Sequence, residues 1–253
     1  MTTRATHEIE HGKFLAKNDT ERIWGWATAA GRLRAQRRAN LIATGARLSP
    51  GVRVLEVGCG TGMFTEMFSE YGAYIVAVDI SKDLLTKAKE RNLPADKVRF
   101  VEKRFEDCDM DGPFDAIIGS SILHHLALSE ALPVIFRLLK PNGVMSFAEP
   151  NMLNPQVWAE RTFRRLFPYV SPDETAFIRC NLKSTLREVG FQDIEIVPFD
   201  WLHPSVPRPL IGLVSKMGRM FEKTWFLCEF SGSLYIKAVR PQDNGRQSSG
   251  ISQ

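Results

Sequence analysis

The stretch Val52–Gly62 constrains this chain most. A β-branched-rich apolar run, Val52, Val54, Leu55 and Val57, leads directly into three alternating glycines, Gly58, Gly60 and Gly62. Such a run reads as a strand buried on both faces of a parallel sheet. Glycine has no Cβ, so the turn can adopt φ values closed to other residues and a ligand can approach the backbone. Phe64, Met67, Phe68 and Tyr71 follow at helical spacing, which predicts a helix whose first N–H groups suit a carboxylate or phosphate. Strand, glycine loop and helix together commit this region to an α/β architecture.

The dinucleotide fingerprint G-x-G-x-x-G is missed: the third glycine comes one residue early and Met63 stands in its place. With Glu56 two residues before the first glycine, Glu56-Val57-Gly58-Cys59-Gly60-Thr61-Gly62 resembles the first motif of class I S-adenosylmethionine (SAM)-dependent methyltransferases. The resemblance implies that Glu56, Gly58, Cys59, Gly60, Thr61 and Gly62 are cofactor-binding residues around the methionine end of SAM, a zwitterion. A nicotinamide oxidoreductase and a tight turn in an unrelated α/β protein are the competing readings.

Later motifs extend the resemblance in order. Tyr74–Asp79 reads as a second strand ending in an acid about twenty residues after the first glycine, the spacing at which cofactor domains place a carboxylate on ribose hydroxyls. Asp79 is the expected ribose ligand and Ile80 the expected adenine contact; otherwise Asp79 only caps a helix over 81–91. Val98–Val101 gives a third strand. In the family the following turn usually brings an Asp or a small residue to the adenine, but here it reads Lys103-Arg104-Phe105-Glu106-Asp107. Arg104 cannot accept from an amino group, so the contact passes to Phe105 backbone, Glu106 or Asp107.

Phe114–Gly119 is the fourth strand, and Gly119 and Ser120 at its C-terminal end join the expected cofactor set, because open α/β sheets bind ligands at that end. Ser121–Leu126 follows, with His124-His125 resembling the family's Leu-His-His. One of these histidines is the expected general base, since imidazole titrates near neutrality. On a helix they would point about 100° apart, one to the cleft and one elsewhere, a poor chelate; two bracing histidines are the alternative. Leu138–Gly143 resembles the family's Leu-Lys-Pro-Gly-Gly turn, and Val144–Ala148 is the fifth strand, closing with Glu149-Pro150-Asn151. Neither Asn-Pro-Pro-Tyr nor Asp-Pro-Pro-Tyr follows strand four, which disfavours amino methylation of nucleic-acid bases.

The flanks are not sheet-like. His7–His11 matches the zinc-protease pattern H-E-x-x-H, yet Gly12 follows at once and no third ligand is marked; a short helix turning Ile9, Phe14 and Leu15 inward is the better reading, and no metal is assigned. Arg32, Arg34, Arg37 and Arg38 suit an anionic ligand or form a solvated helix face. Beyond Pro150, a helix over 152–169 and another opening at Ser171-Pro172-Asp173-Glu174, a capping-box signature, precede a helix over 182–189 ending at Gly190. Phe191–Phe199 and Phe226–Val239 supply two antiparallel strands, with an apolar stripe from Leu210 to Phe221 between them. The tail from Pro241 is Gly-, Ser- and Gln-rich and expected to be disordered.

The chain thus divides into an N-terminal helical cap (1–50), a SAM-binding core (51–150), a substrate cap with the final strands (151–240) and a tail (241–253). The expected fold is α/β, a Rossmann-like class I methyltransferase with a seven-stranded, mostly parallel sheet, helices on both faces and a helical cap. The expected activity is methyl transfer from SAM, with oxygen favoured as acceptor atom; a non-catalytic SAM-binding partner or regulatory module is the alternative. Lys plus Arg number 33 against 29 Asp plus Glu, too small and scattered an excess to call for nucleic acid. Four cysteines without a C-x-x-C pair fit a reducing cytoplasm, and no apolar run is long enough to span a bilayer. All five Trp (Trp24, Trp26, Trp158, Trp201, Trp225) fall in the capping segments, which points to a lipophilic or aromatic small-molecule acceptor. The stripe with its basic opposite face is also compatible with peripheral membrane contact. Oligomeric state and acceptor identity are left open.

Overall fold

The structure, a computed structural model, describes residues 3–110, 112–167 and 173–242. Seven strands, β1 (Arg53–Val57), β2 (Tyr74–Asp79), β3 (Val98–Glu102), β4 (Phe114–Ser120), β5 (Leu139–Pro150), β6 (Gln192–Phe199) and β7 (Ser233–Val239), form one sheet in the order β3-β2-β1-β4-β5-β7-β6. β1 to β5 are parallel, and β7 runs antiparallel between β5 and β6. Strand order reverses between β1 and β4, so a crevice opens beyond their C-terminal ends. The glycine loop after β1, the acid ending β2 and the histidines after β4 all converge there.

Side-chain alternation along the strands builds two cores. Val54, Ile75, Ala77, Ala116 and Ile118 face α3 (Ala29–Gly45), α4 (Met63–Ser69) and α5 (Lys82–Lys89) through Ile42, Phe68 and Leu85. Leu55, Val57, Ile117 and Phe147 face the other way, against α6 (Leu128–Leu138) and α8 (Arg179–Val189), through Leu132, Ile135, Leu182 and Leu186. Burial on both faces is why β1 reads as a continuous apolar run.

α1 (Thr3–Lys17) and the one-turn α2 (Thr20–Ile23) lie over the crevice. Gly12 lets α1 sit against the start of α5: a Cβ there would fall 2.4 Å from Ser81 Oγ. Leu15 is buried and Ile9 half-buried, but Phe14 is exposed and does not turn inward.

The segment after β5 departs most from expectation. α7 (Pro155–Thr162) is shorter than the predicted helix and is followed by a 3-10 turn at Arg164–Leu166. Tyr169, Ser171 and Pro172 lie outside the described residues. Asp173 and Glu174 open no helix, because their carboxylates are engaged at long range by His7 and Arg161; α8 begins at Arg179 instead and ends at Gly190. The last strand starts at Ser233, since Leu227–Phe230 forms a 3-10 turn. α9 (Ile211–Glu222) occupies the link between β6 and β7. Of the tail expected from Pro241, residues 243–253 lie outside the described residues. Among the described residues no helix is long and apolar enough to cross a membrane.

Candidate active site

A cavity of about 740 Å³ sits over the C-terminal ends of β1, β2, β4 and β5, within the range of sites that hold small molecules and cofactors. Gly58, Cys59, Gly60, Thr61, Asp79, Ile80, Phe105, Glu106, Ser120, His124 and His125 all line it. Three expected cofactor contacts do not. Glu56 is buried beneath the loop, where desolvation pushes its carboxyl up to about 8. Gly62 caps α4 in a left-handed conformation and packs on Ala88, and Gly119 is pressed between Ile122 and Phe147. Each faces the protein interior and not the cavity.

Asp79 anchors that loop. Its carboxylate accepts from Gly60 N–H and Ser81 N–H, both at 2.8 Å. It does not cap the following helix; Ser81 does, accepting from Leu84 N–H. A carboxylate has about four lone-pair sites, so Asp79 keeps capacity for hydroxyls in the cavity. Burial raises its pKa against the pull of the two amides.

The histidines sit on a 3-10 turn, Leu123–His125, and not on an α-helix. They do not diverge: both line the cavity, with ring centroids 4.2 Å apart. His124 is buried, and its Nδ1 lies 2.7 Å from Glu149 Oε2. Glu149 also accepts from Ile122 N–H and Leu123 N–H, each at 3.0 Å, which fixes the turn. His124 Nε2 faces Glu174 at 3.8 Å, and Glu174 is paired with Arg161 at 2.8 Å. His125 Nδ1 lies 3.0 Å from Glu8 of α1. Burial holds the His124 pKa well below 6.5; for His125 burial is outweighed by the Glu8 contact and nearby carboxylates, and its pKa is raised. Desolvation lifts Glu149 to about 7, opposed by its two amide donors and Arg38.

His124, His125 and Glu174 bring ligand atoms within 4.8 Å of one another, where diverging histidines could not. Each already has a close partner in the protein: Glu149, Glu8 and Arg161. Two of the H-E-x-x-H residues are spent similarly, His7 on Asp173 at 2.7 Å and Glu8 on His125, while His11 lines the cavity, so that helix is a strap across it.

The α3 arginines do not form one solvated face: Arg34 and Arg38 line the cavity, and most of their donors are taken up by the protein itself. Arg34 pairs with Asp200 at 2.7 Å, and Arg37 binds Glu222 with both nitrogens. Arg38, buried, donates to Ser121 Oγ, Ala148 O and Ser233 Oγ, while exposed Arg32 donates to Ala27 O. Glu149 escaped the sequence reading, although its signal was the one that exposed Asp79: an acid at the C-terminal end of an apolar strand beside the crevice. Of the five Trp, Trp24, Trp26 and Trp201 line the cavity, whereas Trp158 and Trp225 are exposed outside it.

A family model described as a methyltransferase domain matches residues 54–143. An uncharacterized methyltransferase from Synechocystis sp. is 32% identical over 150 residues, spanning 57% of this chain and 68% of that protein. A ubiquinone biosynthesis O-methyltransferase from Xanthomonas axonopodis pv. citri is 30% identical over 197 residues, spanning 74% of this chain and 81% of that protein. The chain belongs to the class I SAM-dependent methyltransferases. Among solved structures, the N-methyltransferase NodS from Bradyrhizobium japonicum, in complex with S-adenosylhomocysteine, matches this methyltransferase with a TM-score of 0.63 at 15% identity, covering 93% of this chain and 100% of that one; at that identity the likeness is one of fold. The nicotinamide reading is set aside.

The residues present fit SAM. Gly60, having no Cβ, lets the ring edge of Trp24 close over the loop, 3.0 Å from where a Cβ would lie. Thr61 Oγ1 and Ser120 Oγ are buried at the cavity with no partner among the described residues, polar atoms that a polar ligand would satisfy. Asp79→Ala should weaken SAM binding by about 1.5–3 kcal/mol, the range for a hydrogen bond to a charged group. Titration calorimetry reads this directly. An unchanged dissociation constant in a folded variant would remove Asp79 from the cofactor site.

Proposed function

We propose that this methyltransferase acts on a hydroxyl of a small acceptor with an aromatic or otherwise apolar body, and that His124 removes the hydroxyl proton. The observation that carries the reading is the His124–Glu149 pair at the cavity wall. Ionised Glu149 accepts from His124 Nδ1–H, so the imidazole lone pair is left on Nε2. Burial keeps that imidazole neutral and ready to take a proton. Bound SAM supplies an electrophilic methyl group on sulfur. The chain's part is positioning: Asp79, Gly60, Thr61 and Ser120 fix the cofactor, α1 and Trp24 exclude water, and the remaining walls orient the acceptor.

Those walls combine Trp26, Phe64 and Trp201 with Asn154, Gln156 and Glu160, surfaces suited to an apolar ring with a few polar substituents. The name of the Xanthomonas relative, an O-methyltransferase of ubiquinone biosynthesis, supports oxygen and a lipophilic acceptor. Screening acceptors of graded lipophilicity tests this. Phenols and hydroxylated lipids should turn over; efficient turnover of sugars or amino acids with none of apolar phenols would overturn it, and no turnover of any acceptor would favour a SAM-binding regulatory module.

A further inference from the structure

We propose that the outer face of α9, together with Trp225 and Phe226, docks this protein on an anionic lipid bilayer. A helix on a globular domain needs one apolar side, facing the core; α9 has two. Its inner side is occupied: Gly218 is buried against Trp201, the Phe221 ring meets Trp201 edge-on at 5.2 Å, and Glu222 receives Arg37. Leu210, Leu213, Met217 and Met220 recur at intervals of three and four residues, which at 3.6 residues per turn gathers them into a stripe about 80° wide on a different side. That stripe is exposed, Leu213 by 58% and Met220 by 61%. Trp225 follows at 85% exposure, with Phe226 beside it.

Charge selects the occupant. Lys216, Arg219 and Lys223, all exposed, flank the stripe on the side away from the core, and exposed Arg208 precedes it. The sole carboxylate from residue 208 to 226 is Glu222, which is held by Arg37 and by Asp200 N–H. A second copy on the same face would, in a two-fold contact, set these cations against their own counterparts. An anionic bilayer neutralises them, takes the aliphatic stripe into the acyl boundary and seats Trp225 at headgroup level. Trp201, against which α9 packs, also lines the cavity, so the docked helix backs a wall of the active site.

Co-sedimentation of the full chain with phosphatidylcholine vesicles, with and without phosphatidylglycerol, tests this. Wild type should bind the phosphatidylglycerol vesicles at least 10-fold more tightly than the neutral ones. Lys216→Gln with Arg219→Gln and Lys223→Gln should weaken that binding about 10²-fold. Met217→Ser with Met220→Ser and Trp225→Ser should weaken binding to both kinds at least 10-fold. Both variants should keep the wild-type melting temperature and S-adenosylhomocysteine affinity, because the replaced side chains are exposed. Equal binding to the two vesicle types, or variants that bind as wild type, would overturn the proposal. So would a wild-type dimer in sedimentation equilibrium that the apolar variant disperses, since the face would then be an interface between copies.

Discussion

Gly60→Val should abolish cofactor binding, with the S-adenosylhomocysteine affinity falling about 10³-fold or more. Two effects act, the first on the stability of the fold and the second on the cofactor site. Gly60 has φ +53°, a left-handed conformation that costs a β-branched residue about 1–3 kcal/mol. The new Cβ would also lie 3.0 Å from the Trp24 ring, and its methyl groups would force that ring and the loop apart at the cavity wall, where Gly60 and Trp24 both lie. Lost hydrogen bonds to a charged ligand add about 1.5–3 kcal/mol each, and each 1.4 kcal/mol is tenfold. Gly51→Val separates strain from occlusion: Gly51 has φ +88° with nothing within 4 Å of its Cβ position, and it precedes the opposite end of β1. That variant should lower the melting temperature and keep the affinity. Binding by Gly60→Val within threefold of wild type would remove the loop from the cofactor site.

The parts of this molecule that sequence made legible are those where one physical cause acts locally. β2 falls on Tyr74–Asp79 as read, because a strand buried between two helical layers must be apolar throughout, and an acid at its end marks the crevice. β5 runs longer than expected, as the Leu139–Gly143 turn itself pairs, Leu139 with Phe114 and Val144 with Ala116 across a bulge. The failures share a cause: side chains whose local signal was overridden by partners far away in the chain. Arg34 and Arg37 sit on a helix that reads as solvated, yet their carboxylates lie 166 and 185 residues on. Asp173 and Glu174 have the chemistry of a helix start, but pairing with α1 and α7 was available and stronger. Adjacent histidines diverge on an α-helix; Glu149, gripping two successive amides, winds theirs into a 3-10 turn instead. Glu149 becomes visible as a partner only once the sheet brings β5 beside β4.

His124→Ala should lower turnover about 10² to 10⁴-fold, the usual contribution of a general base, while S-adenosylhomocysteine binds as before. His125→Ala should cost less, since Glu8 lies at its Nδ1 and, with nearby carboxylates, raises its pKa, favouring the form that cannot accept a proton. The pH profile carries the sharper test. Desolvation lowers the His124 pKa well below 6.5, so His124 itself adds no limb near neutrality. Glu149, lifted to about 7 by burial, does. Above pH 7 its carboxylate accepts Nδ1–H and leaves the Nε2 lone pair free. Below pH 7 the protonated carboxyl donates to Nδ1 and the imidazole proton moves to Nε2, the wrong tautomer for a base. The rate should therefore rise with pH through about 7 and then level off. Glu149→Gln cannot ionise, so it should lose that limb and run slowly at every pH, with cofactor affinity intact, which a merely structural role would not produce. A limb near pH 7 that persists in Glu149→Gln would assign the titration to another group. Equal turnover in wild type and both histidine variants would leave positioning alone to accelerate the transfer.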